Sequence, residues 1–217
     1  MTPQATQATQ VAMPQAQTAT LTPQQQFILE SFNSVVYVAN RMDIQDTPLY
    51  DSVTIAAGAN LTPIASVLFT NVGPQSGKTL ALTNMSQPQK LNAPEAFSVF
   101  GFSFRYGENI SLLDIYNILN GFCFEFWLGQ KNYQRGPLWV YNAGGGIYGT
   151  LTNSQTSVLN NGMPGRSEMH RLGINVVLEN QMSFYGDLQG NQYTLNASGT
   201  GIFYQMVLRG LYARGVQ

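Results

Sequence analysis

Charge is what this chain lacks most. Of its 217 residues only 10 are Lys or Arg and 11 are Asp or Glu, 10% in all, against about 25% in ordinary globular domains. The formal net charge is −1, and no basic cluster stands out. Nucleic-acid binding driven by phosphate neutralisation is therefore excluded as an expectation. A single cysteine, Cys123, rules out an intrachain disulfide framework and a cysteine zinc site. No run approaches the roughly 18 apolar residues of a spanning helix. No Lys/Arg-led apolar segment opens the chain, so no secretory signal is expected. The Asn-x-Ser/Thr matches at Asn60, Asn84, Asn109 and Asn196 read as chance in a chain this rich in Asn, Ser and Thr.

Gln, Asn, Ser, Thr and 21 glycines stand in place of the charge, with aromatics at 12%. Residues 1–29 contain no ionisable side chain at all. Residues 1–21 offer too little apolar surface to offset the entropy of ordering and read as a flexible or extended arm. "TPQQ" at 22–25 then carries a helix start, with Thr22 as N-cap, Pro23 at the first turn and Gln25 placed to bond back. Phe27, Ile28, Phe32, Val35 and Val36 fall on one face of that element. The reading is one domain over 22–217 with an N-terminal helix over 23–33.

Beyond it the text is β. "SVTIAAG" (52–58), "IASVLFTNV" (64–72), "KTLALTNM" (78–85), "AFSVFGFSFRY" (96–106), "GFCFEFWLG" (121–129), "LGINVVLEN" (172–180), "MSFYGDL" (182–188) and "GIFYQMVLRGLYA" (201–213) are separated by Gly, Pro and Asn. In the fifth of these, Phe122, Phe124, Phe126 and Leu128 share one face while Cys123, Glu125 and Trp127 share the other. "SLLDIYNILNG" (111–121) reads as a helix capped by Ser111 and ended by Gly121. The fold class expected is all-β: a jelly-roll β-sandwich with one or two short helices and an extended N-terminal arm. An immunoglobulin-like sandwich comes second, since it needs only about 100 residues.

Chemistry-bearing patterns are few. "VGPQSGKTL" (72–80) imitates a phosphate loop, but Gly73 and Gly77 enclose three residues where that motif needs four. It reads as a hairpin turn with a solvated Lys78. A histidine-based nucleophile system would have to use His170, the only histidine, with a serine or with Cys123; His170 reads as a surface or interface residue at a strand edge and Cys123 as a small packed residue. Asp43, Asp46 and Asp51 lack the alternating ligands of a calcium loop. Glu125 is the outlier, a carboxylate in the middle of an aromatic strand. Glycan cleavage would need a second carboxylate, for which Glu179 and Asp187 are candidates. The plainer reading pairs Glu125 with Arg105 or Arg209 from a neighbouring strand. Trp127, Trp139, Tyr141 and Tyr148, around the glycines 144–146, would have to form an exposed cluster if the chain bound sugar. No catalytic, cofactor-binding or metal-binding residue is assigned.

The neutral arm at 1–21, the charge-poor strand-rich body and the closing strand "GIFYQMVLRGLYARGVQ" together resemble the jelly-roll structural proteins of tailless bacteriophage particles, as does "FEFWLGQKNYQRGPLWV" (124–140). The resemblance implies a non-enzymatic capsid subunit, major or minor, located in the virion and without cofactors. Its partners would be copies of itself and other virion proteins. A lipid layer beneath the shell is a further candidate, although "FILESFNSVV" lacks the basic residues a membrane-surface helix prefers. The alternative is a carbohydrate- or receptor-binding spike module, and after it a glycan-cleaving enzyme.

Overall fold

A computed structural model describes residues 42–55, 60–61, 64–106, 112–141, 148–150, 158–160, 170–190, 193–194 and 202–215. The arm at 1–21 and the helix expected over 23–33 lie outside the described residues, as do the glycines 144–146. Within them the chain is mostly β, with two antiparallel sheets and one α-helix.

Strands β1 (Met42–Asp46) and β2 (Leu49–Ile55) lie end to end along β13 (Ile202–Gly215), β1 on its last residues and β2 on its first. Thr47 and Pro48 interrupt the run, as suits a proline that cannot donate to a ladder. On its other side β13 pairs with β5 (Ala96–Tyr106), and β5 pairs with β10 (His170–Leu178). The second sheet runs β4 (Ile64–Leu68), β11 (Phe184–Gly190), β6 (Phe122–Leu128), β7 (Lys131–Pro137). Two short pairs complete the set, β3 (Asn60–Leu61) with β12 (Tyr193–Thr194) and β8 (Tyr148–Thr150) with β9 (Val158–Asn160). The helix α1 (Leu112–Gly121) leads directly into β6.

The pairing is nested. The first strands pair with the last (β1 and β2 with β13), then β3 with β12, β4 with β11, β5 with β10 and β6 with β7. The chain is thus one long antiparallel hairpin that has been wound up, and two lateral contacts, β13 with β5 and β11 with β6, close each sheet.

Period-two alternation explains which faces meet. In β6, Phe122, Phe124, Phe126 and Leu128 are buried and face the other sheet. The opposing strand β5 needs one correction to keep facing them. Phe97 and Val99 point inward at odd positions, whereas Phe102, Phe104 and Tyr106 do so at even ones. The switch occurs at Phe100–Gly101, where β5 has one residue more than β13 and the register shifts. A bulge does this without breaking the sheet. Across it, Phe102 meets Phe126 at 5.1 Å between ring centroids and Phe104 meets Phe124 at 5.2 Å. Tyr141 joins Phe124 at 5.1 Å. Tilted and edge-on contacts of this kind add about 0.5–1.5 kcal/mol each to simple burial.

One expectation fails in this part of the chain. "KTLALTNM" forms no strand. It belongs to the long connection from β4 to β5, whose carbonyls are taken up by side chains: Tyr50 and Ser52 donate hydroxyls to Leu80 and Leu82, and Gln205 donates to Ala81. Asn84 both donates to the Pro48 carbonyl at 2.8 Å and accepts from the Tyr50 N–H at 2.9 Å. The segment therefore lies along β2 and covers part of that sheet edge, which guards against edge-to-edge pairing. Conversely, β1 and β7 are strands that the alternation did not announce.

Gly210 sits at the β5 register shift, where a Cβ would run into the Ser98 carbonyl oxygen. Gly210→Val is expected to unfold the protein or lower its stability by at least about 3 kcal/mol. Phe124→Ala is expected to lower it by about 3–5 kcal/mol, while Cys123→Ala on the outer face changes little. Denaturant unfolding of the three variants checks this order.

Candidate functional site

The residues singled out for chemistry fall into three places. The first is the outer face of the second sheet. There β7, β6 and β11 bring Arg135, Glu125 and Asp187 into one row across the strands, with Trp127 opposite Tyr185 and Cys123 opposite Gln189 in the neighbouring rows. Glu125 and Asp187 are both buried, at 6% and 5% exposure. Glu125 Oε1 accepts from Arg135 Nε at 2.8 Å, and Oε2 accepts from the Trp127 indole N–H at 3.0 Å. The Trp127 and Tyr185 rings are parallel to within 10° at 6.2 Å. Asp187 Oδ2 accepts from the Gln189 side-chain amide at 3.1 Å, while Oδ1 is buried with no hydrogen-bond partner. Burial holds the Asp187 carboxyl above the ordinary aspartate range and the neighbouring Glu125 raises it further. The Gln189 amide, the Trp127 indole and the Asp187 backbone N–H pull the other way.

The ionic partner of Glu125 is thus Arg135. Arg105 and Arg209 belong to β5 and β13 of the other sheet, so neither can reach it. Of the two candidate second carboxylates, Asp187 is adjacent and Glu179 is not: Glu179 follows the end of β10 and is exposed. Directly opposed residues of an antiparallel pair have Cβ atoms about 4.5–5.5 Å apart. Each Glu125 oxygen has a partner, and the row joins three strands side by side.

The second place lies where the edges β2 and β4 open between the sheets. Asp51 is on the inner face of β2, in line with buried Leu49, and is fully buried. Its Oδ2 accepts from the Phe69 N–H at 2.7 Å, and its Oδ1 pairs with Lys78 Nζ at 2.8 Å. Lys78 is only 14% exposed; the solvated lysine expected at a hairpin turn is instead an internal cation. The phosphate-loop likeness dissolves for a structural reason. Gly73 (φ 83°) and Gly77 (φ 71°) flank a 3₁₀ turn over Pro74–Ser76, and its amides turn inward: Ser76 N–H donates to Gly73 O, and Lys78 N–H to Ser76 Oγ. Phe69, buried with a positive φ of 65°, is an unusual conformation for a bulky residue. It is held by Asp51 on one side and by Gln89 N–H on its carbonyl at 2.7 Å on the other. Asp43 and Asp46 lie apart from Asp51, Asp43 bonding Arg214 at 3.1 Å. Among the described residues no group of three or more His, Cys, Asp and Glu is placed to hold a metal.

The third place closes the opposite side. Gln134 of β7 lies 3.1 Å from His170 Nε2 of β10 and donates to the Tyr141 hydroxyl at 3.0 Å. The His170 ring meets Tyr141 edge-on at 4.9 Å. His170 is half-buried and thereby held below the ordinary histidine value. Tyr141 is fully buried, so it cannot join an exposed aromatic cluster. Trp127 is half-buried against Tyr185, Trp139 is 57% exposed, and the side chain of Tyr148 lies outside the described residues.

Comparison of the chain with protein-family models, with curated proteins and with solved structures gives no match. The functional reading therefore rests on these residues and on the topology.

Two measurements test the pairings. Removing one partner of a buried ion pair leaves the other uncompensated, so Asp51→Ala or Lys78→Met is expected to lose about 3–5 kcal/mol. The double variant is expected to lose clearly less than the sum in a double-mutant cycle. For His170, the native value lies below 6.5, so the unfolded chain takes up the proton first as pH falls. Stability is complete above 6.5 and declines as pH drops toward the native value. His170→Gln is expected to remove that slope in urea titrations.

Proposed function

We propose that the chain is a jelly-roll virion protein, a capsid subunit, major or minor, that assembles with copies of itself and with other virion proteins. The observation that carries this reading is the nested pairing. Counting β1 and β2 as one interrupted strand, the principal strands are that unit, β4, β5, β6, β7, β10, β11 and β13. They pair first with eighth, second with seventh, third with sixth and fourth with fifth. A hairpin wound in this way yields two four-stranded layers with two Greek-key connections, the arrangement of the jelly rolls found in capsids and lectins.

A fold of this kind serves many functions, so the choice of shell protein draws on the surface. Charge is scarce throughout the chain. Exposed apolar side chains stand on several elements: Leu80, Leu113, Tyr116, Tyr133, Trp139 and Ile174. A surface with few charges gives like copies little reason to stay apart, and a scatter of exposed apolar groups gives them area to bury. The leading 29 uncharged residues can lie across a neighbouring subunit without desolvating an ion. Ordering such an arm opposes assembly by about 1–2 kcal/mol per residue, so it orders only over a broad shared contact.

The test is assembly of the purified full-length chain, followed by sedimentation velocity and electron microscopy over a range of concentration and salt. Shells or closed rings are expected, strengthened by sulfate because apolar burial drives them. Deletion of residues 1–21 is expected to leave unfolding unchanged while abolishing or shrinking the assemblies. Monomers at every concentration and salt condition would overturn the proposal.

A further inference from the structure

The outer face of the second sheet holds a carboxyl group whose hydrogen bonding is incomplete. Asp187 is 5% exposed and its Oδ1 has no partner. A buried acceptor left unpaired is costly, by about 1–3 kcal/mol and more when it is charged. An ionised carboxylate can only accept, whereas the protonated acid gains an O–H donor. Protonation would therefore give the orphaned oxygen something to do, and the acceptor directly opposite across the β6–β11 pair is Glu125. Glu125 itself already accepts from the Arg135 guanidinium and the Trp127 indole N–H. One cation in this row thus faces two carboxyl groups.

The other groups around Asp187 supply no second cation. On its own strand the outward neighbours are Tyr185 and Gln189, and β6 contributes Cys123, Glu125 and Trp127. From β7 comes Arg135, already committed to Glu125. The adjoining edge strand β4 has the sequence IASVL, with no ionisable residue.

We propose that Asp187 is held as the neutral acid in the folded chain and donates its proton as a hydrogen bond to Glu125, so that the β6–β11 pair carries a latch that loosens as pH rises. On deprotonation the proton leaves to water, and a second negative charge appears beside Glu125 with a single guanidinium to balance both. The elevated titration range that burial and Glu125 impose on Asp187 agrees with this. The sign is the reverse of the usual carboxylate. Stability from this group is complete below the ordinary value of 3.8 and is lost as pH rises through the native value. The inference does not depend on whether the chain forms a shell.

Carbon-13 carboxyl NMR of the full chain, with side-chain assignment of Asp187, reads the titration directly. A midpoint clearly above 3.8 is expected, moving downward in Glu125→Gln because the opposing charge is gone. Urea unfolding across the same pH range gives the linked effect. Between 3.8 and the native midpoint the wild-type unfolding constant is expected to rise about tenfold per pH unit relative to Asp187→Asn, one proton being involved. A midpoint at or below 3.8, a midpoint unmoved by Glu125→Gln, or parallel pH profiles for wild type and Asp187→Asn would each overturn the latch. If Asp187→Asn does not fold, the wild-type titration and Glu125→Gln decide the question alone.

Discussion

Everything in this molecule depends on phenylalanines of two strands meeting between the sheets. Phe102 and Phe104 of β5 interlock with Phe124 and Phe126 of β6, and only the parity switch at Phe100–Gly101 lets β5 keep an apolar face toward β6 along its whole length. Side chains on a strand alternate with a period of two, so a slip of one residue would turn that face to solvent. The bulge absorbs the slip locally. Phe69 and Phe184 extend the same aromatic layer toward the β4–β11 end.

Two facing sheets leave two open sides, and the chain closes each with polar groups that are matched in place. On one side the inward carboxylate of β2 reaches across to the backbone beyond β4 and to Lys78. On the other, Gln134, His170 and Tyr141 join the edges β7 and β10. Each cluster pairs groups that would otherwise be stranded between the sheets. The outer face of the second sheet differs, because there Asp187 is left with an oxygen unpaired.

Much of the fold was legible in the residues. β5 fills the strand read at 96–106, β6 follows the face alternation read at 121–129, and α1 ends at the expected Gly121. Two segments depart from their residue pattern, for opposite reasons. β7, "KNYQRGP", is an edge strand with most of its side chains exposed, so it carries no burial signature for periodicity to detect. Arg135 lies on that unmarked strand, whereas the residue pattern points Glu125 toward Arg105 and Arg209, which belong to the other sheet. "KTLALTNM" erred in the opposite direction. Its apolar letters promise a strand, but along the β2 edge its carbonyls are taken by the hydroxyls of Tyr50 and Ser52 and by the Gln205 amide, not by a backbone ladder.

Local sequence alone determined the β class, the identity of the inward and outward faces of β6, and the scarcity of charge, because each follows from residue type and a two-residue period. Tertiary structure alone decided that Lys78 is internal, that Glu125 meets Arg135 and Asp187, and that Tyr141 is enclosed. Those outcomes depend on which strands become neighbours. Pairing between segments more than a hundred residues apart, such as β2 with β13, leaves no trace in the spacing of either one.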